Sequence, residues 1–256
     1  MKPLARLPWR WIGLAGTLAV SACVTVPPNA GNNPTDPYER VNRQVFAFND
    51  RFDRAIARPV AKGYVAVVPD PVRHCIGNVF ANLYEIPSGI NSALQGRPGD
   101  VANDAGRFLV NSTVGVLGCF DVAQHLGWER NRQDFGLTMG KWGLTPGPYL
   151  VLPFLGPETF RDAIGEIPDG FADPISYISP TRDWAYTYAA RFVDRRSQLL
   201  DASRMVDEAA LDPYEFVRDA YLQRRRSRVY DGAPPPPADE DPDAPDPAPA
   251  GGAAAH

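Results

Sequence analysis

The apolar positions recur at helical spacing over most of the middle of the chain. In the first such stretch they are Val41, Val45, Phe48, Phe52 and Ile56, at intervals of three and four residues. This spacing predicts an amphipathic helix with one apolar face. Asp36 is the predicted N-cap, Pro37 the first helical residue, and Glu39 the residue that reaches back to the cap. Pro59 is predicted to end the helix, because an interior proline removes a hydrogen bond and clashes with the preceding turn.

Four further segments repeat the pattern. They are a helix from Pro71 with Val72, Ile76, Val79 and Leu83; one from about Asp100 with Val101, Ala105, Phe108, Leu109 and Val116; one from Ser179-Pro180 with Trp184, Tyr188, Phe192 and Leu199; and one from Asp212-Pro213-Tyr214-Glu215 with Val217 and Tyr221. The second DPYE sequence is interpreted as the first capping solution used again, because the similarity does not continue. The sequence therefore predicts a mainly α fold in a single domain, residues 36–230.

Residues 136–180 interrupt this pattern with seven glycines and seven prolines. That density predicts a looped segment with fixed turns and no long regular element. Within it, the stretch Thr145–Pro157 is almost wholly apolar, yet it is too interrupted for a helix and too short to cross a bilayer. Tyr149–Leu152 and the residues before Pro146 are predicted to pair as a hairpin, which Pro153 would confine to a sheet edge.

The N-terminal residues show the pattern of an export signal. Three basic residues, Lys2, Arg6 and Arg10, come first. The apolar run Trp11–Val20 that follows is about half the ~20 residues that a membrane-spanning helix needs. It ends in Val20-Ser-Ala-Cys23, which resembles the cleavage site of bacterial lipoproteins. We predict removal of residues 1–22 and lipidation of Cys23, which would anchor the chain firmly in a membrane. An ordinary signal peptide with a chance cysteine is the alternative.

The residues on either side of the predicted domain have the composition of linkers. Val24 favours the outer membrane, because an aspartate after the lipidated cysteine commonly retains lipoproteins at the inner membrane. Residues 23–35 are polar and broken by proline and glycine, as in a tether. Residues 231–256 contain six acidic residues, eight prolines and no lysine or arginine. This composition cannot bury enough apolar surface to offset the entropy of ordering, so we predict a disordered acidic tail.

The charge of the remaining chain argues against nucleic acid as a partner. Residues 23–230 carry one net negative charge, which is no electrostatic footprint for nucleic-acid binding. The basic cluster of this region is Arg224-Arg225-Arg226 with Arg228. It is interpreted either as a solvated helix end, where cations suit the helix dipole, or as a contact with lipid phosphates.

Cys75 and Cys119 form a possible pair once Cys23 is lipidated. In an oxidising periplasm two remaining thiols often bridge. The bridge would close a loop of 44 residues and stabilise the fold by roughly 3–4 kcal/mol. Two buried free thiols are the alternative.

The sequence contains no recognisable catalytic or metal motif. The GxSxG, HExxH, Walker and GxGxxG patterns are absent. Apart from His256 in the tail, the histidines are His74 and His125, too few for a histidine-rich metal site and not spaced with the cysteines as ligands. Acid pairs such as Asp100 and Asp104 are interpreted as solvated faces. We predict no enzyme activity, no catalytic residue, no metal site and no cofactor.

Distinctive sequence blocks follow one another from Asp36 to Arg228. They include Asp36-Pro-Tyr-Glu-Arg-Val-Asn42, Arg58-Pro-Val-Ala61, Asn78-Val-Phe-Ala-Asn82, Gly106-Arg-Phe-Leu-Val-Asn111, Phe120-Asp-Val-Ala123, Asp134-Phe-Gly136, Gly147-Pro-Tyr-Leu-Val-Leu-Pro153, Arg161-Asp162 and Arg218-Asp-Ala-Tyr221. In this order the blocks resemble the MlaA (VacJ) lipoproteins. The acidic tail has no match in the family pattern.

The resemblance implies a ring of helices that lies in the periplasmic leaflet of the outer membrane and encloses an amphipathic channel. Phospholipids misplaced in the outer leaflet would pass through this channel to a soluble periplasmic carrier, MlaC, while trimeric porins hold the ring in place. No chemistry on the lipid is implied. The alternatives from other classes are a structural outer-membrane lipoprotein without a transport role and an enzyme that acts on lipid or peptidoglycan.

Two segments are candidate walls of such a lipid path. The residues concerned are Asn42, Phe46, Phe48, Asn49, Tyr149, Leu150, Leu152 and Phe154. Asn42 and Asn49 are seven residues apart, so they share one face of the first helix, where amides beside aromatic rings suit both headgroups and acyl chains. An anchored protein can bury the second, apolar segment in lipid at about 25 cal/mol per Å². The alternatives are two satisfied structural amides and a loop that plugs a soluble core.

Overall fold

The computed structural model describes residues 26–235, so the predicted signal peptide, the Cys23 anchor and most of the acidic tail lie outside the described residues. In chain order the elements are α1 (Glu39–Phe52), a π-helical turn (Asp53–Ala57), α2 (Arg58–Val67), α3 (Asp70–Leu94), α4 (Pro98–Thr113), α5 (Val122–His125), α6 (Phe135–Lys141), β1 (Tyr149–Leu152), β2 (Gly156–Thr159), α7 (Phe160–Ala172), a 3-10 turn (Pro174–Tyr177), α8 (Thr181–Gln198), α9 (Leu200–Ala209) and α10 (Pro213–Val229). The predicted mainly helical fold is confirmed.

The first predicted helix does not end at Pro59. Helix α1 continues through the π-helical turn into α2, and Pro59 is the second residue of α2. In the π-helical turn the Arg58 N–H donates to the Asp53 carbonyl, five residues back. Pro59 therefore follows a locally widened turn, where a missing N–H and a bulky ring are tolerated. The predicted end was wrong because the spacing of apolar residues does not reveal a π-helical turn.

The two DPYE sequences use their aspartates differently. Asp212 caps α10 as predicted, since its carboxylate accepts hydrogen bonds from two N–H groups of the first turn, that of Tyr214 at 2.9 Å. Helix α1 begins at Glu39 without a side-chain cap, so the cap predicted for Asp36 was wrong. The buried Asp36 carboxylate accepts instead from the Asn42 amide and the Tyr214 hydroxyl. Partners distant in the sequence have displaced the local one.

Residues 136–180 are more regular than predicted. Helix α7 has 13 residues and contains Pro168. A Cβ on Gly165 of α7 would lie 2.6 Å from the backbone nitrogen of Gly136 in α6. These two glycines therefore allow close packing of two helices and do not break them. The prediction of no long regular element was wrong for this reason.

The hairpin pairs differently from the prediction. Strand β1 pairs antiparallel with β2, with Tyr149 opposite Thr159 and Leu152 opposite Gly156. Its partner therefore follows it in the chain, and the prediction that residues before Pro146 would supply the partner was wrong. Pro153 stands in the connecting turn, where its missing N–H breaks no ladder bond. A short reversal through Gly156, at φ 93°, makes the local pairing possible.

Helices α3 and α4 are joined by three residues and pack against each other. Their predicted starts at Pro71 and near Asp100 are confirmed to within two residues. Val116 lies beyond α4 at φ 53°, so its assignment to that helix was wrong. The structure joins Cys75 of α3 to Cys119 by a disulfide, with the two Cα atoms 4.1 Å apart.

The buried side chains are mostly polar. Among residues 26–235, twenty buried side chains are polar or charged and ten are apolar. Large apolar side chains such as Leu117, Leu155 and Phe171 are exposed over two thirds or more of their surface. This is the reverse of the usual distribution in a water-soluble domain. No helix within residues 26–235 is both long and apolar enough to cross a membrane.

Candidate functional site

Two asparagines of α1 hold the hairpin by its backbone. The Asn42 amide donates to the Tyr149 carbonyl at 3.0 Å and accepts from the Val151 N–H at 3.0 Å. The Asn49 amide donates to the Leu152 carbonyl at 2.9 Å and accepts from the Phe154 N–H at 2.9 Å. Each side-chain amide thus pairs with the chain as a neighbouring strand would. We call this pair of contacts the asparagine clamp.

The seven-residue spacing of the clamp matches the chain that it holds. Seven residues of α-helix rise about 10.5 Å, and three residues of extended chain cover about 10 Å. Asn42 and Asn49 can therefore reach two points of the hairpin, at Tyr149 and Leu152, that are three residues apart. The amides are satisfied by protein groups, as the structural alternative predicts.

Aromatic rings fill the space around the clamp. The Phe46 ring meets the Tyr214 ring edge-on, with centroids 5.6 Å apart. The Phe154 ring, at the exposed tip of the hairpin, meets the rings of Phe48 and Phe52 edge-on, with centroid distances of 5.2 and 5.0 Å. Along β1, buried Tyr149 and Val151 alternate with half-buried Leu150 and Leu152. The structure therefore brings six of the eight candidate lipid-path residues together between α1 and the hairpin. The side chains of the other two, Leu150 and Leu152, lie on the opposite face of β1 from Tyr149 and Val151.

A cavity of about 410 Å³ adjoins this interface. It lies between α1, the π-helical turn, the hairpin, α9 and α10, and it has the size of a small-molecule pocket. The apolar part of its lining includes Phe46, Ala47, Val151, Val206, Tyr214 and Val217, and the charged part includes Arg43, Asp50, Asp53, Arg54, Arg58, Asp207 and Asp212. Phe46 and Asn49 are the predicted path residues in this lining. Asn42, only 2% exposed, is not part of the lining but holds the lining residue Val151 through its backbone N–H.

Arg43 ties the charged part of the lining to α10. Its guanidinium donates to Glu39 at 2.8 Å, to Asp212 at 2.7 Å and to Glu215 at 3.1 Å. The Glu39 carboxylate is engaged by this arginine and by the Gly31 N–H, so its predicted capping role was wrong. One guanidinium can donate hydrogen bonds to several carboxylates at once, and here these bonds hold α1 against the start of α10.

The π-helical turn carries the next group of charges. Asp53 accepts hydrogen bonds from Arg196 of α8 at 2.5 Å and from Arg58 at 3.2 Å, and Arg58 also donates to Asp207 of α9 at 2.8 Å. Burial by itself would raise the pKa of Asp53, but the two arginines hold this pKa below its ordinary value. Asp53 is therefore ionised at neutral pH, and the cavity keeps a charged side.

Sequence reasoning missed the contact between the two DPYE sequences. The Tyr214 hydroxyl of the second sequence donates to the Asp36 carboxylate of the first at 2.5 Å. Arg43, just after the first sequence, stacks over the Tyr214 ring at 4.4 Å. The repeated sequence was the available signal. Its interpretation as a shared capping solution overlooked the possibility that the two copies meet.

Arg225 of the basic cluster is a buried structural residue. Its guanidinium donates to Asp134 at 2.6 and 2.8 Å and to Asp162 at 3.0 and 2.8 Å. For Arg225, both interpretations of the cluster, a solvated helix end and a lipid contact, were wrong. A Cβ at Gly136 would lie 2.6 Å from this guanidinium, so only glycine leaves room for it.

Glu158 of β2 lies beside this ion-pair network. The Tyr221 hydroxyl is 2.9 Å from the Glu158 carboxyl and 2.8 Å from Asp162, and one hydroxyl proton cannot serve both. Burial raises the pKa of Glu158 to about 7, with Glu166 and Asp162 adding to the rise. A protonated Glu158 can donate to the Tyr221 oxygen while that hydroxyl donates to Asp162. All three side chains are then satisfied.

The raised pKa predicts that Glu158 weakens the fold as pH rises. The folded chain retains a proton that the unfolded chain releases near its ordinary pKa of 4.5, so the stability contribution of Glu158 falls between about pH 4.5 and 7. The full loss is at most about 3 kcal/mol. Glu158→Gln should match the wild type in melting temperature near pH 5 and exceed it at pH 8. A difference that is the same at both pH values would contradict the prediction.

Comparison with known proteins identifies the family. The family model described as MlaA lipoprotein matches residues 34–228. The chain belongs to the MlaA lipoprotein family. The resemblance seen in the sequence blocks is thereby confirmed. The matched family is described as one of lipoproteins, and its member from Escherichia coli is named for intermembrane phospholipid transport.

Several relatives of this family share most of the chain. The intermembrane phospholipid transport system lipoprotein MlaA of Escherichia coli K12 is 35% identical over 218 residues, which are 83% of this chain and 85% of that protein. The protein of the same name from Haemophilus influenzae is 31% identical over 86% of this chain and 89% of its own length. An uncharacterized protein of Rickettsia typhi is 35% identical over 76% and 78% of the two chains.

A solved structure shares the fold. It is described by the words "Structural basis for maintenance of bacterial outer membrane lipid asymmetry". The two chains are 36% identical and superpose with a TM-score of 0.66, over 76% of this chain and 98% of the other. The mainly helical MlaA fold of the present chain is therefore the fold of that solved structure.

Proposed function

We propose that this chain is an outer-membrane lipoprotein that takes misplaced phospholipids from the outer leaflet and passes them to a soluble periplasmic carrier. The observation that carries the proposal is the reversed distribution of side chains, with charged groups inside and large apolar groups outside. The function rests also on membership of a family whose members from E. coli and H. influenzae are named for intermembrane phospholipid transport.

The reversed distribution suits a protein that lies in one leaflet of a membrane. Exposed apolar side chains gain about 25 cal/mol per Å² when lipid tails replace water around them. In that setting polar groups must find partners inside the protein, as the buried arginines and aspartates here do. In the proposal, lipidated Cys23 holds the ring of helices in the periplasmic leaflet, and the tether of residues 23–35 joins the two.

The cavity between α1, the hairpin and α9 is the proposed part of the lipid path. Its apolar lining suits acyl chains and its charged lining suits a headgroup. A trimeric porin that holds the ring in place and an MlaC-like carrier that receives the lipid are the proposed partners. A structural lipoprotein would need no such two-sided cavity.

Filling this cavity is expected to block transport without removing the protein from the membrane. Ala47→Trp of α1 and Val206→Trp of α9 would fill it from opposite sides. Cells that carry either variant in place of the wild type should accumulate phospholipid in the outer leaflet and become sensitive to detergent, as a deletion strain should. Outer-leaflet lipid analysis measures the effect.

Val41→Trp is the matched control, because Val41 lies on the same helix, is 59% exposed and is not part of the cavity lining. It should transport as the wild type does. If both cavity variants are present at normal level, fold normally and keep the outer leaflet free of phospholipid, the cavity is not part of the path. A deletion strain with unchanged outer-leaflet lipid would favour the structural lipoprotein.

A further inference from the structure

One edge of the cavity carries three charged side chains in the order minus, plus, minus. The Arg54 Nε donates to Asp50 at 2.9 Å, and an Arg54 Nη atom is 3.8 Å from Asp207. Arg54 is 59% exposed, and the two carboxylates are about one third exposed. We call these three residues the charged rim. All three line the cavity, so a ligand inside it meets them.

The other charges of the cavity lining are compensated within the protein. Arg43 is held by Asp212 and two glutamates, and Arg58 is held by Asp53 and Asp207. The lining holds four carboxylates and three guanidiniums, and the fourth guanidinium that balances Asp53 is that of Arg196, outside the lining. Arg54 differs from the other two because it is exposed and has N–H groups without a partner in the described part of the chain.

We propose that the charged rim is a headgroup site that prefers a zwitterionic phospholipid with a primary ammonium, as in phosphatidylethanolamine, over an anionic phospholipid. This proposal rests on the proposed function and names the substrate class of the same cavity. The phosphodiester would accept hydrogen bonds from Arg54. The ammonium, two carbons farther along the headgroup, would donate to Asp50 or Asp207.

Charge complementarity is the physical reason for the preference. A phosphodiester at Arg54 stands close to two half-buried carboxylates, which repel it. An ammonium on the same headgroup donates a charge-assisted hydrogen bond to one of these carboxylates, and this attraction offsets the repulsion of the phosphodiester. An anionic headgroup such as phosphatidylglycerol has hydroxyl groups there and gains no such compensation. The cavity therefore discriminates through repulsion as well as attraction.

Competition between two lipids tests the proposal directly. The full-length lipoprotein, purified in detergent, is incubated with equal amounts of phosphatidylethanolamine and phosphatidylglycerol that have the same acyl chains. Native mass spectrometry then counts each bound lipid. We expect about tenfold more bound phosphatidylethanolamine. Equal binding of the two lipids would overturn the headgroup preference and leave the proposed transport function standing. Binding of neither lipid would contradict both.

Isosteric variants of the rim give the second measurement. Asp50→Asn and Asp207→Asn each remove one negative charge and should lower the preference at least about threefold, mainly through tighter binding of phosphatidylglycerol. Asp201→Asn is the control, because Asp201 is also on α9, is 80% exposed and does not line the cavity. It should leave the preference unchanged. Melting temperatures of all variants show which of them fold normally, and an unchanged preference in both folded rim variants would refute the site.

Discussion

Replacing Arg107 by methionine is expected to lower the free energy of unfolding by about 3–5 kcal/mol. Arg107 is completely buried in α4. Its guanidinium donates to Glu85 of α3 at 2.7 Å and to both oxygens of Asp121 at 3.0 Å, and it also binds the Trp128 carbonyl. This one side chain therefore connects α3, α4 and the segment around α5.

The large effect arises from the groups that the substitution leaves behind. A buried pair contributes little compared with two apolar residues, but removal of one partner leaves the other charge uncompensated. Burial already raises the pKa of the Glu85 carboxyl, even with Arg107 beside it. In Arg107→Met, the pKa of Glu85 is expected to rise further, because the guanidinium that lowers it is gone. Arg107→Lys should also be destabilising, because an ammonium cannot replace the planar fork that holds two carboxylates.

Urea or thermal unfolding of the purified full chain in detergent measures this loss. Arg204→Met is the control, because the exposed pair of Arg204 with Asp201 should contribute less than about 1 kcal/mol. Adding Glu85→Gln to Arg107→Met should restore part of the stability, since the buried carboxyl that has lost its arginine is then replaced by a neutral amide, whereas Asp121 keeps Arg130 at 2.7 Å. A loss below about 1 kcal/mol in the single variant, or no recovery in the double variant, would show that the ion pairs are not what holds these helices together.

Substitution of Asn42 by alanine is expected to free the hairpin and to disturb lipid transport. The change leaves the Tyr149 carbonyl, the Val151 N–H and an Asp36 oxygen without their partner in a buried place. Such groups cost about 1–3 kcal/mol each when unsatisfied, so we expect a loss of about 3 kcal/mol. The same change at Asn49 should cost about 1 kcal/mol, because water can replace a half-buried amide there.

Hydrogen exchange of the Val151 and Phe154 amides reports directly on the asparagine clamp. Exchange should be faster at Val151 in Asn42→Ala and at Phe154 in Asn49→Ala. Deletion of one residue between the two asparagines should affect both, because it rotates the helix by about 100° and spoils the match in length. Gln44→Ala, on the exposed side of the same helix, is the control. Normal exchange and a normal outer leaflet in both asparagine variants would exclude the clamp as a support of the lipid path.

The spacing of apolar residues predicted the helices well and their interruptions poorly. Helical faces repeat every three to four residues over long stretches, so α3, α4, α8 and α10 were found from spacing and from proline or aspartate at their starts. The π-helical turn before Pro59 was missed, because one inserted residue hardly changes the pattern. A sequence does not show whether a glycine forms a turn or allows two helices to pack closely. Gly136 and Gly165 were therefore interpreted as residues that interrupt helices.

The sequence predicted which two segments of the candidate site lie near each other, but not the contacts between them. The seven-residue spacing of Asn42 and Asn49 correctly placed both on one face of α1, and the apolar run identified the segment that meets them. Their partners are backbone groups, which have no signature in a sequence. The sequence did not reveal the roles of Arg43, Tyr214 and the charged rim. Each of these residues forms its hydrogen bonds or ion pairs with a residue that is far away in the chain or on the next helical turn.

The sequence by itself determined the family and the helical class, because these depend on local patterns and on blocks that keep their order. The lipid anchor at Cys23 stays a prediction. Only the tertiary structure decided which side chains face inward. In a water-soluble domain the apolar face of a helix points to the core, and a helical pattern cannot say that the reverse holds. Here the ion pairs between distant segments, such as Arg107 with Glu85 and Arg225 with Asp134, occupy the interior. The apolar faces are left outside, which suits the proposed place of the chain in a membrane leaflet, where lipid tails replace water around them.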